Sequence, residues 1–333
     1  MRLVMMGTGL FAEPTFEALL ASSHTVVGLV TQPDRVAGAE RGSTRQTGRG
    51  MKAIAQEHGV PVLQPESINT PEGVAALQAL QPDLLVVAAY GQILSRDVLA
   101  VPPHGGINVH ASLLPKYRGA APIAWAIYHG ETRTGVTIIK MSVSLDAGDM
   151  LAQEAIDIGR DETAGDVEAR LAPLGARLAL QVIEQIQSGT VQGRKQDPSQ
   201  VTKAPKLKKE HGLIDWNRSA EQVCNQIRAM QPWPTAYTFW HRLGQPPSRV
   251  IISFAVTYPE LYDPSVPPGS IIIEPSNPKS PLLLVTAGLI HPGQRSLVTI
   301  YELQPVGKRR MTAEEFLRGH KLQAGDHFGP ETP

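Results

Sequence analysis

Leu3-Val4-Met5-Met6-Gly7-Thr8-Gly9-Leu10-Phe11-Ala12 is a short apolar run that turns on two glycines straight into a helical pattern. A continuous apolar run reads as a strand buried on both faces, and closely spaced glycines let the chain turn tightly against the helix that follows. The rhythm recurs. Strand-like runs at Thr25 to Thr31, Asp83 to Ala89, Ile107 to His110 and Val136 to Met141 are separated by helical stretches such as Phe16 to Ala21 and Glu72 to Leu80. Strands alternating with helices predict an α/β fold, a mostly parallel sheet covered on both faces. Such sheets bind ligands at the carboxyl ends of their strands, near the point where strand order reverses.

Outward from this core, 333 residues suffice for two domains, and 42% hydrophobic with 19% charged residues is the composition of a globular protein. No apolar run approaches the roughly 18 residues that a membrane span needs. Met1-Arg2 leads directly into the first strand, so no signal or transit segment is expected and the expected compartment is the cytoplasm. Formal net charge is zero, so polyanion binding must come from local clusters. The single cysteine, Cys224, excludes an internal disulfide and a thiolate zinc cluster, and its amphipathic helical context suits a structural thiol.

A long helix is predicted from about Ala164 to Gln187, stopped by Ser188-Gly189. Gln196 to Lys209 is then polar and basic, with Lys203, Lys206, Lys208 and Lys209, and reads as a linker. One helix follows, then runs at Thr235 to His241, Val250 to Thr257, Ser270 to Ile273, Leu282 to Thr286 and Leu297 to Leu303 between Pro, Gly and Asn clusters. These predict a small antiparallel barrel. The expected division is a catalytic domain at 1–195, a basic linker at 196–210 and a barrel domain at 211–333.

The chemistry-bearing stretch is Asn108-Val109-His110-Ala111-Ser112-Leu113-Leu114-Pro115-Lys116-Tyr117-Arg118-Gly119, with Leu145-Asp146-Ala147-Gly148-Asp149 further on. Asn108 and His110 are two residues apart on a predicted strand, so their side chains leave one face of the sheet. An amide donor, an imidazole and a carboxylate brought together suit acyl chemistry. Taken singly, each is more commonly a satisfied polar group. Two other readings stand beside acyl transfer. Gly7-Thr8-Gly9-Leu10-Phe11-Ala12 fits G-x-G-x-x-A, which makes an NAD-dependent oxidoreductase the rival enzyme, but the second strand runs into Thr31-Gln32-Pro33 rather than a ribose-binding acid. An RNA-binding module built on the barrel and linker is the non-enzyme reading. It lacks clustered stacking aromatics, since Tyr237, Phe239 and Trp240 suit a core strand. His110, Asp146 and Asp149 match no strong metal-ligand spacing, so no metal is expected.

The Asn-x-His pair, the Ser-Leu-Leu-Pro and Lys-Tyr-Arg-Gly that follow it, and the later Asp-Ala-Gly-Asp resemble the signature of the folate-dependent formyltransferases. Thr202 to Glu210, Ile214-Asp215-Trp216, Ile227 to Pro234, Leu303 to Met311 and Phe316 to Gly319 resemble the second half of the members that act on aminoacyl-tRNA. The resemblance implies a Rossmann-like formyltransferase domain followed by an oligonucleotide-binding-type (OB-like) barrel, working as a monomer. It implies transfer of the formyl group of 10-formyltetrahydrofolate to the α-amino group of methionyl initiator tRNA, for translation initiation. By the same resemblance Asn108 binds the developing oxyanion, while His110 donates to the same oxygen or shuttles a proton to the leaving nitrogen. Asp146 orients His110 and holds a proton-relaying water. Ser112, Leu113, Leu114 and Pro115, with Val87, Tyr90 and Gly91 at another strand end, are the implied folate contacts. The implied tRNA contacts are Arg35, Arg41, Arg45 and Arg49 in a basic loop running to Lys52, together with Lys206. The chain departs from the family pattern at Val36, where proline is usual, in lacking the Pro-Val-Lys that commonly follows, and at Ser144, where glycine often stands.

Overall fold

The computed structural model describes residues 1–34, 49–273, 282–291 and 293–332. The chain divides into two compact units, one formed by 1–126, 132–159 and 165–206, the other by 127–131, 160–164 and 207–333.

Along the first part of the chain run β1 (Arg2–Gly7), α1 (Glu13–Leu20), β2 (Thr25–Val30), α2 (Met51–Glu57), β3 (Val62–Leu63), α3 (Pro71–Ala79), β4 (Leu84–Ala88), α4 (Arg96–Leu99) and β5 (Gly106–His110). They are followed by β6 (Arg118–Gly119), α5 (Pro122–Tyr128), β7 (Arg133–Lys140), β8 (Met150–Asp157), α6 (Ala164–Gln187) and β9 (Lys203–Ala204). The main sheet has the order β3-β2-β1-β4-β5-β7-β8. Strands β3 to β5 run parallel, whereas β7 is antiparallel to β5 and β8 to β7. The predicted mostly parallel sheet is therefore present. Its last strand was missed because β8 is an edge, half-exposed along most of its length and carrying Gln153 and Glu154 in its middle.

Gly7 at the end of β1 serves packing and Gly9 the turn that follows. A Cβ on Gly7 would lie 2.8 Å from both Ala12 Cβ and Ala88 O, and Gly9 sits at φ +79°. At the end of β2, where a dinucleotide-binding protein places its ribose-binding acid, the buried Thr31 lies 3.2 Å hydroxyl to hydroxyl from Thr8. The neighbouring Gln32 donates its Nε2–H to the Tyr90 carbonyl at 2.8 Å. Strand order reverses between β1 and β4, and the Asn-x-His strand lies one position further out, beside β4. Helix α6 backs that strand closely: a Cβ on Gly175 would come within 2.6 Å of Val109 Cγ1.

The stretch read as a linker is no free tether in its first ten residues. Strand β9 pairs in parallel with β6, Tyr117 N donates to Thr202 Oγ1 at 2.8 Å, and Trp125 Nε1 donates to Pro205 O at 2.7 Å. A Cβ on Gly119, at φ +127°, would stand 2.4 Å from Ala204 O, so glycine is what lets the two segments meet.

The second unit contains α7 (Ala220–Ala229), β10 (Ala236–Arg242), β11 (Gln245–Tyr262), β12 (Ile271–Ile273), β13 (Leu283–His291), β14 (Gln294–Pro305), β15 (Met311–Thr312), α8 (Ala313–Gly319) and β16 (His327–Gly329). Its antiparallel sheet has the order β12-β13-β14-β11-β10-β16, with β15 on β14. An antiparallel bridge between Ser270 and His327 and a bond from Phe328 N to Gly269 O at 2.8 Å join the two ends, so the sheet curls into an OB-like barrel. Gly269 makes this approach possible, since a Cβ there would meet Phe328 O at 2.0 Å. Trp216 stacks on Phe328 with centroids 6.0 Å apart and donates to Thr238 Oγ1 at 3.0 Å.

The aromatics of β10 are not all core. Trp240 is buried, but Tyr237 and Phe239 alternate with buried neighbours and are only half-buried, on the outer face. The Arg249 guanidinium lies 3.9 Å from the Tyr237 ring centroid. Burial pushes the Cys224 thiol on α7 up to about 12, in keeping with a structural cysteine.

Candidate active site

The carboxyl end of β5 presents Asn108 and His110 on one face, and the loop between β7 and β8 brings Asp146 to both. Asn108 Nδ2 donates to Asp146 Oδ1 at 3.3 Å, and His110 Nδ1 lies 3.6 Å from Asp146 Oδ2. The Gly119 amide donates to the same Oδ2 at 2.9 Å. His110 and Asp146 are 5% and 9% exposed, so this cluster is largely withdrawn from water and its electrostatics are correspondingly strong. Three residues separated by up to 38 positions are thus joined around one carboxylate.

The hydrogen-bond partners fix orientations. A carboxylate only accepts, so the Asn108 amide must turn its NH2 toward Asp146. His110 Nε2 lies 2.9 Å from the Tyr117 carbonyl, which also only accepts, so Nε2 carries a proton and Nδ1 faces the carboxylate. A second proton on Nδ1 makes both ring nitrogens donors, one to a carbonyl and one to a carboxylate. The geometry therefore suits an imidazole that takes up and releases a proton at Nδ1. Asn108, half-buried where His110 is buried, is the more accessible donor of the pair.

The loop itself is constrained. Asp146 adopts φ +49°, a left-handed conformation that aspartate tolerates better than most residues. A Cβ on Gly148 would lie 1.7 Å from Lys140 O, which accounts for the glycine in the Asp-Ala-Gly-Asp sequence.

The implied folate contacts separate into two groups. Ser112 is fully buried and donates to Lys116 O at 2.7 Å. Leu114 packs with Ile139 and Met150, its amide donating to Thr137 Oγ1 at 3.2 Å and its carbonyl accepting from Gln153 Nε2 at 2.9 Å. These two side chains support the loop from inside, whereas Leu113 and Pro115 are only half-buried. Val87 and Tyr90 belong to the apolar cluster containing Val4, Met6 and Val30. The buried Tyr90 hydroxyl has no hydrogen-bond partner among the described residues, and burial pushes it up to about 12. Ala89 at φ +47° and Gly91 at φ +84° are both exposed, so the end of β4 offers an open backbone turn above an apolar floor.

Of the implied tRNA contacts, Arg35, Arg41 and Arg45 lie outside the described residues. Arg49 pairs with Glu17 at 3.4 Å and also with Glu57. Lys206 is exposed. Among the described residues, no group of three or more His, Cys, Asp or Glu side chains is arranged to hold a metal ion. Sequence reasoning missed the Tyr117 carbonyl, the Gly119 amide and Gln196 as members of the cluster. The first two are main-chain groups, and Gln196 carries no local signal.

Comparison with known proteins agrees with this architecture. Residues 1–183 match the family described as formyl transferase, and residues 206–321 match the formyl transferase C-terminal domain. The chain is 41% identical to a methionyl-tRNA formyltransferase of Geobacter sulfurreducens, covering 99% of this chain and 97% of that protein. It is 39% identical to the methionyl-tRNA formyltransferase of Bacillus subtilis, covering 98% of each. Among solved structures, a sugar 3N-formyl transferase superposes with a TM-score of 0.62 at 14% identity, over 93% of this chain and 99% of that one. An N-formyltransferase from Helicobacter canadensis superposes with a TM-score of 0.62 at 18% identity, over 90% and 99% respectively. With both of its domains matched and relatives of this identity aligned along nearly its whole length, the chain belongs to the formyl transferase family.

Proposed function

We propose that this chain transfers the formyl group of 10-formyltetrahydrofolate to the α-amino group of methionyl initiator tRNA. The observation that carries the reading is the convergence of Asn108 and His110 on Asp146 at the end of β5, in a chain aligned along its length with methionyl-tRNA formyltransferases. The site fits the donor. The open turn at Ala89 and Gly91 and the half-buried Leu113 and Pro115 offer apolar surface and backbone polar groups to a flat heteroaromatic ring.

The reaction breaks the bond between the formyl carbon and N10 and forms one to the amine nitrogen. A proton leaves the amine and one arrives at N10. Asn108 donates its second N–H to the formyl oxygen as negative charge grows there, with its amide held in register by Asp146. His110 receives the amine proton at Nδ1, directly or through water, and returns it toward N10. Asp146 stabilises the imidazolium during that interval. Neutral His110 carries its one N–H on Nε2, where Tyr117 O holds it, so Asn108 is the donor available to the formyl oxygen as the amine attacks. An α-amine titrates near pH 8, so a useful fraction is neutral at physiological pH and no stronger activation is needed.

In this reading 1–195 carries the chemistry, while the basic stretch within 196–210 and the barrel at 211–333 grip the tRNA. The outward Tyr237, Phe239 and Arg249 give the barrel a surface suited to such contact. The molecule works as a monomer in the cytoplasm. Among the described residues no helix is long and apolar enough to cross a membrane. The test is a formyl-transfer assay offering methionyl initiator tRNA, glycinamide ribonucleotide and an amino-sugar nucleotide in parallel. Methionyl initiator tRNA is expected to be formylated far faster than either alternative. Preference for a small acceptor would overturn the assignment.

A further inference from the structure

We infer that Gln196 is a positioning residue for formyl transfer, which sets Asp146 from below with Arg118 as its anchor. The inference rests on the placing of Asp146 in the active site described above. Gln196 Nε2 donates to two carbonyls of the Asp146 loop, Asp146 O at 2.7 Å and Gly148 O at 2.9 Å. Its Oε1 accepts from Arg118 Nε at 3.0 Å and Arg118 Nη2 at 2.8 Å. This pattern leaves one orientation for the amide, because exchanging its ends would set the oxygen against two carbonyls and the NH2 against a guanidinium.

The arrangement joins three segments that the sequence keeps apart. Arg118 lies on β6, in the Lys-Tyr-Arg-Gly that follows the Asn-x-His strand, and β6 is fixed by pairing with β9. The neighbouring Tyr117 and Gly119 supply the carbonyl that holds His110 Nε2 and the amide that holds Asp146 Oδ2. Gln196 therefore ties the backbone of the carboxylate loop to the strand that already holds both catalytic side chains. Asp146 needs such a tie. Its φ of +49° is a sparsely populated conformation, and residues held that way persist only where surrounding contacts determine them. Gln196 is half-buried between exposed neighbours, as a side chain turned inward for this contact would be.

The decisive variant is Gln196→Glu. A carboxylate of the same shape still accepts from Arg118, so β6 keeps its anchor, but it cannot donate to Asp146 O and Gly148 O. The expected result is a fall in kcat of about tenfold or more with both KM values within about twofold, since the loss reaches only the transition state. Because Gln196 acts through Asp146, the same substitution made in an Asp146→Ala chain should cost less than about twofold. Hydrogen–deuterium exchange on the full-length protein gives a readout independent of activity, in which the amides of the 142–149 loop should exchange faster in Gln196→Glu and in Gln196→Ala. Either variant, whichever folds better, suffices for that arm. Unchanged kcat, a loss of equal size in the Asp146→Ala background, or unchanged exchange of the loop would each overturn the inference. If the unaltered chain fails to formylate methionyl initiator tRNA, the proposed reaction fails, while the exchange arm still decides whether Gln196 holds the loop.

Discussion

The two sheets of this protein place their polar groups in opposite ways. In the first unit the parallel strands leave their carboxyl ends open, and at one of them Asn108 and His110 converge on the Asp146 carboxylate. In the second unit the antiparallel sheet curls until Gly269 meets Phe328, and the buried Thr238 hydroxyl serves that closure, between Trp216 and the Gly329 carbonyl. A parallel sheet leaves strand ends free to hold chemistry, whereas a barrel spends its ends on itself and offers its outer face. Perturbation should therefore cost turnover in the first unit, and stability or acceptor binding in the second.

The largest expected effect follows from removing any one of the three side chains. Asn108→Ala, His110→Ala and Asp146→Ala should each lower kcat by about 10² or more, with KM for the folate donor changed only a few-fold, because these groups act on developing charge. Steady-state kinetics at saturating acceptor checks this. Near-normal turnover in His110→Ala would remove it from the mechanism.

A paired glycine test sharpens the contrast. Gly148→Ala forces a Cβ to within 1.7 Å of Lys140 O and should destabilise the folded state by about 3 kcal/mol or displace the Asp146 loop, costing turnover in either case. Gly244→Ala, in the β10–β11 hairpin at φ +70° with open space around it, should cost only about 1 kcal/mol and leave kcat alone. Urea unfolding and turnover measured side by side separate the two, and equal effects would erase the distinction between the regions.

Cys224 supplies a pH test within the second unit. Its folded-state value is raised to about 12 by burial, while an unfolded thiol titrates near 8.5. The unfolded chain therefore loses this proton first, so the cysteine's contribution to stability is complete below about pH 8.5 and declines as pH rises toward 12. Alkylation of the native protein at pH 8 should be slow and should become rapid in denaturant. Fast labelling of the native chain would show the thiol to be accessible.

The smallest effects belong to the basic residues. Lys206→Ala should raise KM for tRNA modestly and reduce the slope of log affinity against log salt by about 1, the signature of one lost phosphate contact. Arg49→Ala should change less, because Glu17 and Glu57 already neutralise that guanidinium. Reversal of this order would place the acceptor on the α1–α2 side.

Much of this was legible in the sequence. The parallel strands are continuous apolar runs, the long helix from Ala164 to Gln187 has the bounds its pattern predicted, and Asn108 and His110 share a face because strands alternate. Strand β8 was hidden because an edge strand half-exposed along most of its length lacks that apolar continuity. The outward set of Tyr237 and Phe239 was hidden for a related reason. Alternation shows that they oppose Trp240 but not which side faces inward. Gln196 was illegible because its partners lie 50 and 78 residues away, brought to it by the parallel pairing of Arg118 with Lys203 and by the antiparallel bridge between Met150 and Arg194. Its setting in a polar, basic stretch made the linker reading the natural one.

In the mechanism proposed above, the Asp146 carboxylate organises formyl transfer to an aminoacyl-tRNA. The most direct measurement is single-turnover formylation of methionyl initiator tRNA by the intact chain and by Asp146→Asn, which keeps the side chain's size and removes its charge. The intact chain is expected to transfer efficiently and the variant to lose about 10² or more in rate, with donor and acceptor affinities within a few-fold of normal. Transfer by Asp146→Asn at the rate of the unaltered chain would contradict that mechanism.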